Sequence, residues 1–120
     1  MRLEISSFVD VGVYERERLV IKILFDIDIG SYVVLLSSLS EARNPTAGRK
    51  TAYWFPDGKV KTGDLVVLYT KKGEDRKKDI GEGRTTHFYY WGLDGAIWGS
   101  SNKTAVILRI ADWIHRVSNE

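Results

Sequence analysis

The sequence predicts an all-β fold, and three observations carry that expectation. Short runs of β-branched and aromatic residues recur at roughly ten-residue intervals, separated by Gly, Asn, Asp or clusters of charge. No long segment sustains a 3.6-residue apolar period. The breaks between runs hold turn residues such as Asn44-Pro45 and Pro56-Asp57-Gly58, where proline fixes one φ and glycine accepts a positive one. About seven strands at this spacing predict a β-sandwich. A small barrel is the alternative.

The expected strands lie at 2–9, 17–25, 31–37, 51–55, 64–70, 86–91 and 104–110. Asp28-Ile29-Gly30 turns the chain between the second and third. Residues 71–84, KKGEDRKKDIGEGR, read as a long hairpin loop between two strands. The last ten residues, ADWIHRVSNE, predict a short C-terminal turn or helix with Trp113 and Ile114 packed down. The chain shows no internal repeat and no low-complexity linker, so residues 1–120 read as a single β-sandwich domain.

Several strands are apolar on both faces. Leu19, Ile21, Ile23 and Phe25 alternate with Val20, Lys22 and Leu24; Tyr32, Val34 and Leu36 alternate with Val33 and Leu35; Leu65, Val67 and Tyr69 alternate with Val66 and Leu68. An antiparallel sheet that packs on one side keeps a polar outer face, so something must cover the second face here. The run HFYYW, residues 87–91, sharpens the point: one side of a strand takes only every second ring. Either Phe88 and Tyr90 face the core, or His87, Tyr89 and Trp91 do. In both cases an aromatic row lies off the main core. That row is either a contact surface or is covered by the loop 38–50 or the C-terminus.

Composition excludes several function classes. The chain has 120 residues and no Cys, which rules out a disulfide framework and cysteine-based zinc sites and fits a reducing compartment. The N-terminal MRLEISSFVD lacks the apolar core of a leader peptide, and no apolar run approaches the roughly 20 residues of a membrane helix. A cytoplasmic protein with no membrane partner is expected. Net charge is +2, but residues 41–84 carry 11 Lys/Arg against 7 Asp/Glu, while 1–40 carry 4 against 6.

At residues 54–73, WFPDGKVKTGDLVVLYTKKG, the chain resembles the lamin-tail domain. The matching features are Phe55-Pro56 at a strand end, the Lys61-Thr62-Gly63 turn and the apolar strand Leu65–Tyr69. Upstream, Glu17-Arg18-Leu19-Val20-Ile21-Lys22 is similar to the family's early strand. Downstream, Ala96-Ile97-Trp98, Ser101-Asn102-Lys103 and Ala105–Leu108 are similar to its late strand pair. Leu24-Phe25-Asp26 replaces the family's usual Asn, the Gly-Asp of the late turn is absent, and Asp28-Ile29-Gly30-Ser31-Tyr32 only echoes its Asp-Leu-Ser-Gly-Trp element. The resemblance spans roughly residues 15–110 and rests on structural motifs. It implies an immunoglobulin-like β-sandwich and a non-catalytic interaction module.

No constellation requires catalysis. His87 and His115 are far apart and in no metal-ligand spacing. Asp26-x-Asp28-x-Gly30 opens like a calcium loop, but residues 31–40 hold no carboxylate, so it reads as a polar turn. The glycines at 81, 83, 92, 95 and 99 do not form a phosphate-cradling strand–loop–helix. The expected function is therefore binding of a protein partner or of a second copy of the chain, through an aromatic and aliphatic surface holding Tyr89, Tyr90, Trp91 and Trp98. The alternative is a nucleic-acid-binding module with Lys71, Lys72, Arg76, Lys77 and Lys78 on phosphates, beside the aromatic run. No cofactor and no metal is expected, and an enzyme built on His87 with a carboxylate is the weakest reading.

Overall fold

The structure is a computed structural model that describes residues 1–119. Its strands are β1 (Leu3–Val9), β2 (Arg18–Ile23), β3 (Ile27–Asp28), β4 (Tyr32–Ser38), β5 (Thr51–Trp54), β6 (Lys59–Val60), β7 (Leu65–Tyr69), β8 (Arg76–Gly81), β9 (Arg84–Tyr90) and β10 (Lys103–Arg109). They form a five-stranded sheet in the order β1-β2-β7-β9-β8, a three-stranded sheet β10-β4-β5 and the small pair β3-β6. The protein is nearly all-β, and each of the seven expected strands is present.

Alternation places the two larger sheets over one core. Leu19, Ile21 and Ile23 of β2, Val66 and Leu68 of β7 and Tyr89 of β9 supply one side. Tyr32 and Val34 of β4, with Phe55 just past β5, supply the other. Both sets belong to one buried cluster, closed by Leu3, Ile29, Val60 and Trp98. Burying such side chains, at about 1.5–3 kcal/mol each, is the main drive to fold.

One strand pair departs from the antiparallel pattern. β7 and β9 are parallel, because the chain leaves β7, crosses the end of the sheet, runs back as β8 and returns as β9 between them. The crossing passes tightly over Tyr90: a Cβ at Gly73 would lie 2.5 Å from the Tyr90 ring. The return turn is Glu82-Gly83, with φ of 56° and 73°. Both angles positive is the two-residue hairpin geometry whose twist matches the strands. Residues 71–84 are thus not a loop but contain an edge strand. Its sequence, RKKDIG, is exposed at all six positions, so no apolar period announces it. Ile80 is the extra residue of a bulge between Asp79 and Gly81.

Two further expectations are corrected. The C-terminal segment 110–119 forms no helix; the Asp112 side chain accepts from the Trp113 N–H, a local bond that competes with helical pairing. Trp113 and Ile114 are 61% and 95% exposed instead of packed down. Phe25, expected in line with Leu19, Ile21 and Ile23, lies beyond the end of β2 and is exposed.

Beside β3, Asp28 stitches two turns together. Its Oδ1 accepts from Gly30 N at 2.8 Å and Gly58 N at 3.0 Å, and Ile29 N donates to Gly58 O. Gly30 then packs so close that a Cβ would sit 2.3 Å from Asp57 Oδ1 and 2.7 Å from Asp57 Cα. Gly30→Ala is expected to destabilise by about 1–3 kcal/mol, since backbone must move. Gly95→Ala, which adds a Cβ into open space, is the matched control. Urea unfolding midpoints of the two variants check this.

Candidate interaction surfaces

The buried polar groups sit at the two ends of the inner face of the five-stranded sheet. In β2 the inward row Leu19-Ile21-Ile23 begins, in phase, at Glu17; in β7 the row Val66-Leu68 runs from Asp64 to Thr70. At one end the fully buried Glu17 carboxylate accepts four hydrogen bonds: Thr70 Oγ1 and Ile97 N on Oε2, Gly12 N and Trp98 N on Oε1. At the other end Asp64 Oδ2 meets His87 Nε2 at 2.9 Å and accepts from Lys61 N, while Oδ1 accepts from Thr85 N. Burial acts to raise the pKa of both acids. The hydrogen bonds outweigh it, so both lie below the usual carboxylate range.

These groups do not look outward. The Asp64 carboxylate is spent on two backbone N–H groups and a histidine, in a site with His87 and Asp64 both buried. The Glu17 carboxylate is wholly occupied by donors of its own chain. Asp26 and Asp28 are exposed, with one oxygen of each engaged: Asp26 Oδ1 accepts from the backbone N–H and hydroxyl of Thr62, and Asp28 Oδ1 holds the two turns described above. Among the described residues, no group of three or more His, Asp and Glu could hold a metal ion.

The aromatic run divides cleanly. His87 is buried against Asp64, Tyr89 is buried in the core, and Trp91 is half-buried against it. Tyr89 continues a chain of rings, Tyr89–Phe55–Tyr53–Trp91–Trp98–Phe8, edge-to-face except for the tilted Tyr53–Trp91 pair, with centroids 5.1–6.1 Å apart. Burial, helped by the Asp75 charge, pushes the Tyr53 hydroxyl up to about 12. Phe88 and Tyr90 point to the opposite face, where Tyr69 of β7 stacks on both: 5.2 Å and 8° to Tyr90, 6.4 Å and 28° to Phe88.

Cations frame that outer face. The Arg76 guanidinium lies 4.0 Å over Phe88, and Lys71 and Arg18 lie 5.2 and 5.5 Å over Tyr69. Lys22 and Lys78 occupy the same side, by their pairing with Leu65 and Thr86. Beneath them Val20, Leu65 and Val67 form an apolar floor. The second apolar face seen in the sequence is therefore roofed by rings and by the stems of long cations.

The three-stranded sheet has a different outer face. Val33 and Leu35 of β4 are flanked by Val106 and Leu108 of β10 and by Ala52 and Trp54 of β5. The loop after β4 covers only one end of it: Ser37 Oγ donates to Thr46 O, and Leu39 bridges Pro45. At the other end the Trp54 indole N–H donates to Gly30 O at 2.7 Å, and Trp113 packs edge-on against Trp54 at 5.7 Å. The two indoles line a cleft of about 430 Å³ together with Asp57 and Asp112. Leu108 and Trp54 nevertheless remain about half exposed.

Of the four rings expected to contact a partner, Tyr89 and Trp98 lie in the core, Trp91 is packed against it and Tyr90 alone is on an open face. Of the five cations expected on phosphates, Lys71, Arg76 and Lys78 share the ringed face, Lys77 points to the His87 side of β8, and Lys72 pairs with Asp94 at 3.0 Å. Glu17 and Asp64 were legible only as phase: each continues an inward apolar row. No helix among the described residues is long and apolar enough to cross a membrane. Comparison of the chain with family models, curated proteins and solved structures returns no match.

Because both buried carboxylates titrate lower in the folded chain, the unfolded chain binds more protons in acid. Their contribution is fully present above their ordinary values of 4.5 and 3.8 and is lost as pH falls through the lower folded values. Urea midpoints should fall steeply below about pH 4.5. Glu17→Gln, which turns an acceptor towards four donors into a mixed donor, should cost about 2–4 kcal/mol at pH 7 and flatten the acid limb.

Proposed function

We propose that this chain is a non-catalytic interaction module, and that it binds a second copy of itself through the outer face of the three-stranded sheet. One observation carries the reading: three neighbouring strands present Val33, Leu35, Ala52, Trp54, Val106 and Leu108 on one side, with no charged side chain among them. Contiguous apolar area of this kind, with Ala52, Trp54 and Leu108 exposed and Val33, Leu35 and Val106 partly so, marks a contact surface. Tryptophan at its margin fits the composition of protein interfaces. A two-fold contact of these six residues with their copies brings only apolar side chains together.

The same reading keeps the immunoglobulin-like, lamin-tail-like assignment of the family. Seven strands at the expected positions and two sheets around one core agree with the coarser expectation of a nearly all-β, layered fold.

Sedimentation velocity across a wide concentration range tests the assignment. A mass rising from monomer to dimer is expected. Leu108→Lys, at a half-exposed strand position, should hold the chain monomeric, with a thermal midpoint equal to that of the wild type at concentrations where both are monomers. A chain that stays monomeric at its highest soluble concentration overturns the self-association.

A further inference from the structure

The outer face of the five-stranded sheet is a separate surface, on the opposite side of the core, and its chemistry differs from that of the aliphatic face. From its arrangement we infer that Tyr69, Phe88 and Tyr90, with Arg18, Lys71, Arg76 and Lys78, form a binding site for single-stranded nucleic acid. The inference does not rest on self-association.

The rings occupy the middle of the sheet. Tyr69 is on β7 and Phe88 and Tyr90 are on its neighbour β9, so the three adjoin one another on one side. Each is partly exposed. Unpaired bases stack on such rings regardless of sequence, because every base has a π-face, whereas a duplex hides its base faces within its own stack. The cations stand on both flanks. Arg18 is on β2, next to Tyr69 in register; Arg76 and Lys78 are on the edge strand β8, opposite Phe88 and Thr86. From β2 to β8 the row spans three strand spacings of ~4.8 Å, about 14 Å in all, which admits a few nucleotides with phosphates at either rim.

Charge complementarity selects the occupant. The cations on this face, Arg18, Lys22, Lys71, Arg76 and Lys78, outnumber the acids there, Glu4 opposite Lys22 and the exposed Asp10 and Glu15. Arg18 shares Asp10 with Arg16 at 3.3 and 3.6 Å, and Lys71 is 3.7 Å from Glu15. These are exposed or partly exposed pairs, which contribute little and yield readily to a phosphate. Arg76 and Lys78 form no salt bridge among the described residues. Arg76 is held only over the Phe88 ring, so a phosphate can draw its guanidinium forward while a base takes its place on the ring. Edge strands commonly carry lysine simply to prevent pairing with another chain. That need does not explain why Arg76 of β8 lies over Phe88, nor why Arg18 and Lys71, off the edge, converge on Tyr69.

Fluorescence anisotropy with labelled oligo-dT and oligo-U strands and a DNA duplex of equal length tests the site on the whole chain. Binding to the single strands at about 50 mM salt is expected, weakening about 20-fold by about 200 mM for three phosphate contacts. Arg76→Glu with Lys78→Glu alters two exposed side chains, so the fold should survive with its thermal midpoint unchanged. It should weaken binding by tenfold or more, on the order expected for losing two such contacts. Phe88→Leu should weaken it roughly tenfold while keeping the salt slope, since stacking and not charge is lost. Absence of single-strand binding at the low salt overturns the inference and leaves this face to a protein partner. So does binding indifferent to salt or to the charge reversal, or an equal preference for the duplex.

Discussion

The Glu17 carboxylate is the interaction on which the rest depends. It sits at the head of β2, in phase with the core row, and gathers donors from three segments that belong to no sheet or only border one. Gly12 N comes from the β1–β2 connection, Ile97 and Trp98 N from the long segment before β10, and Thr70 from the end of β7. A buried charge without such partners is untenable. Conversely, four buried donors without an acceptor each carry a desolvation cost. The arrangement is therefore all or nothing, and it explains how the irregular 91–102 stretch is held against the core. Trp98 is docked there by its own N–H, and its ring then meets Phe8 and Trp91.

Asp64 does the equivalent at the opposite end, between the turn Lys61–Asp64 and the start of β9. The five-stranded sheet is thus apolar along the middle of its inner face and polar at both ends. Hydrogen bonds with fixed partners set the register of β2, β7 and β9 more strictly than aliphatic packing does, because a one-residue slip would turn Glu17, Asp64 and His87 to the wrong side. The same register decides the outer face. Once His87, Tyr89 and Trp91 are inside, Phe88 and Tyr90 must be outside, where Tyr69 and the cations meet them. The buried dyad and the outer rings are two consequences of one alternation.

The two outer faces show how a small β protein treats apolar surface that its core cannot use. On one sheet the floor of Val20, Leu65 and Val67 is roofed by stacked rings and by lysine and arginine stems, with charge left at the top. On the other, a loop reaches over Ser37 and an indole rests on Trp54, and the aliphatic strip between them is partly exposed. The difference lies in which long side chains the neighbouring strands supply. β8 brings Arg76 and Lys78, whereas β5 and β10 bring Ala52, Val106 and Leu108 to the matching positions.

The sequence by itself determined the all-β class, the seven apolar strands, the two-faced character of those strands and the choice that HFYYW had to make between its two phases. These properties are local: period-two alternation and turn residues act over a few positions, and each can be read where it stands. Tertiary structure alone decided which phase faces the core, because that depends on Asp64 lying 23 positions before His87 and on Glu17 meeting residues 80 and 81 positions away. It alone revealed β8, whose stability as a strand comes from hydrogen bonds to β9 and not from any pattern in RKKDIG. It alone brought Arg18 and Lys71 onto Tyr69 and set Trp113 against Trp54. Sheet neighbours far apart in the chain leave no mark in either segment read separately, and both candidate surfaces are made of such neighbours.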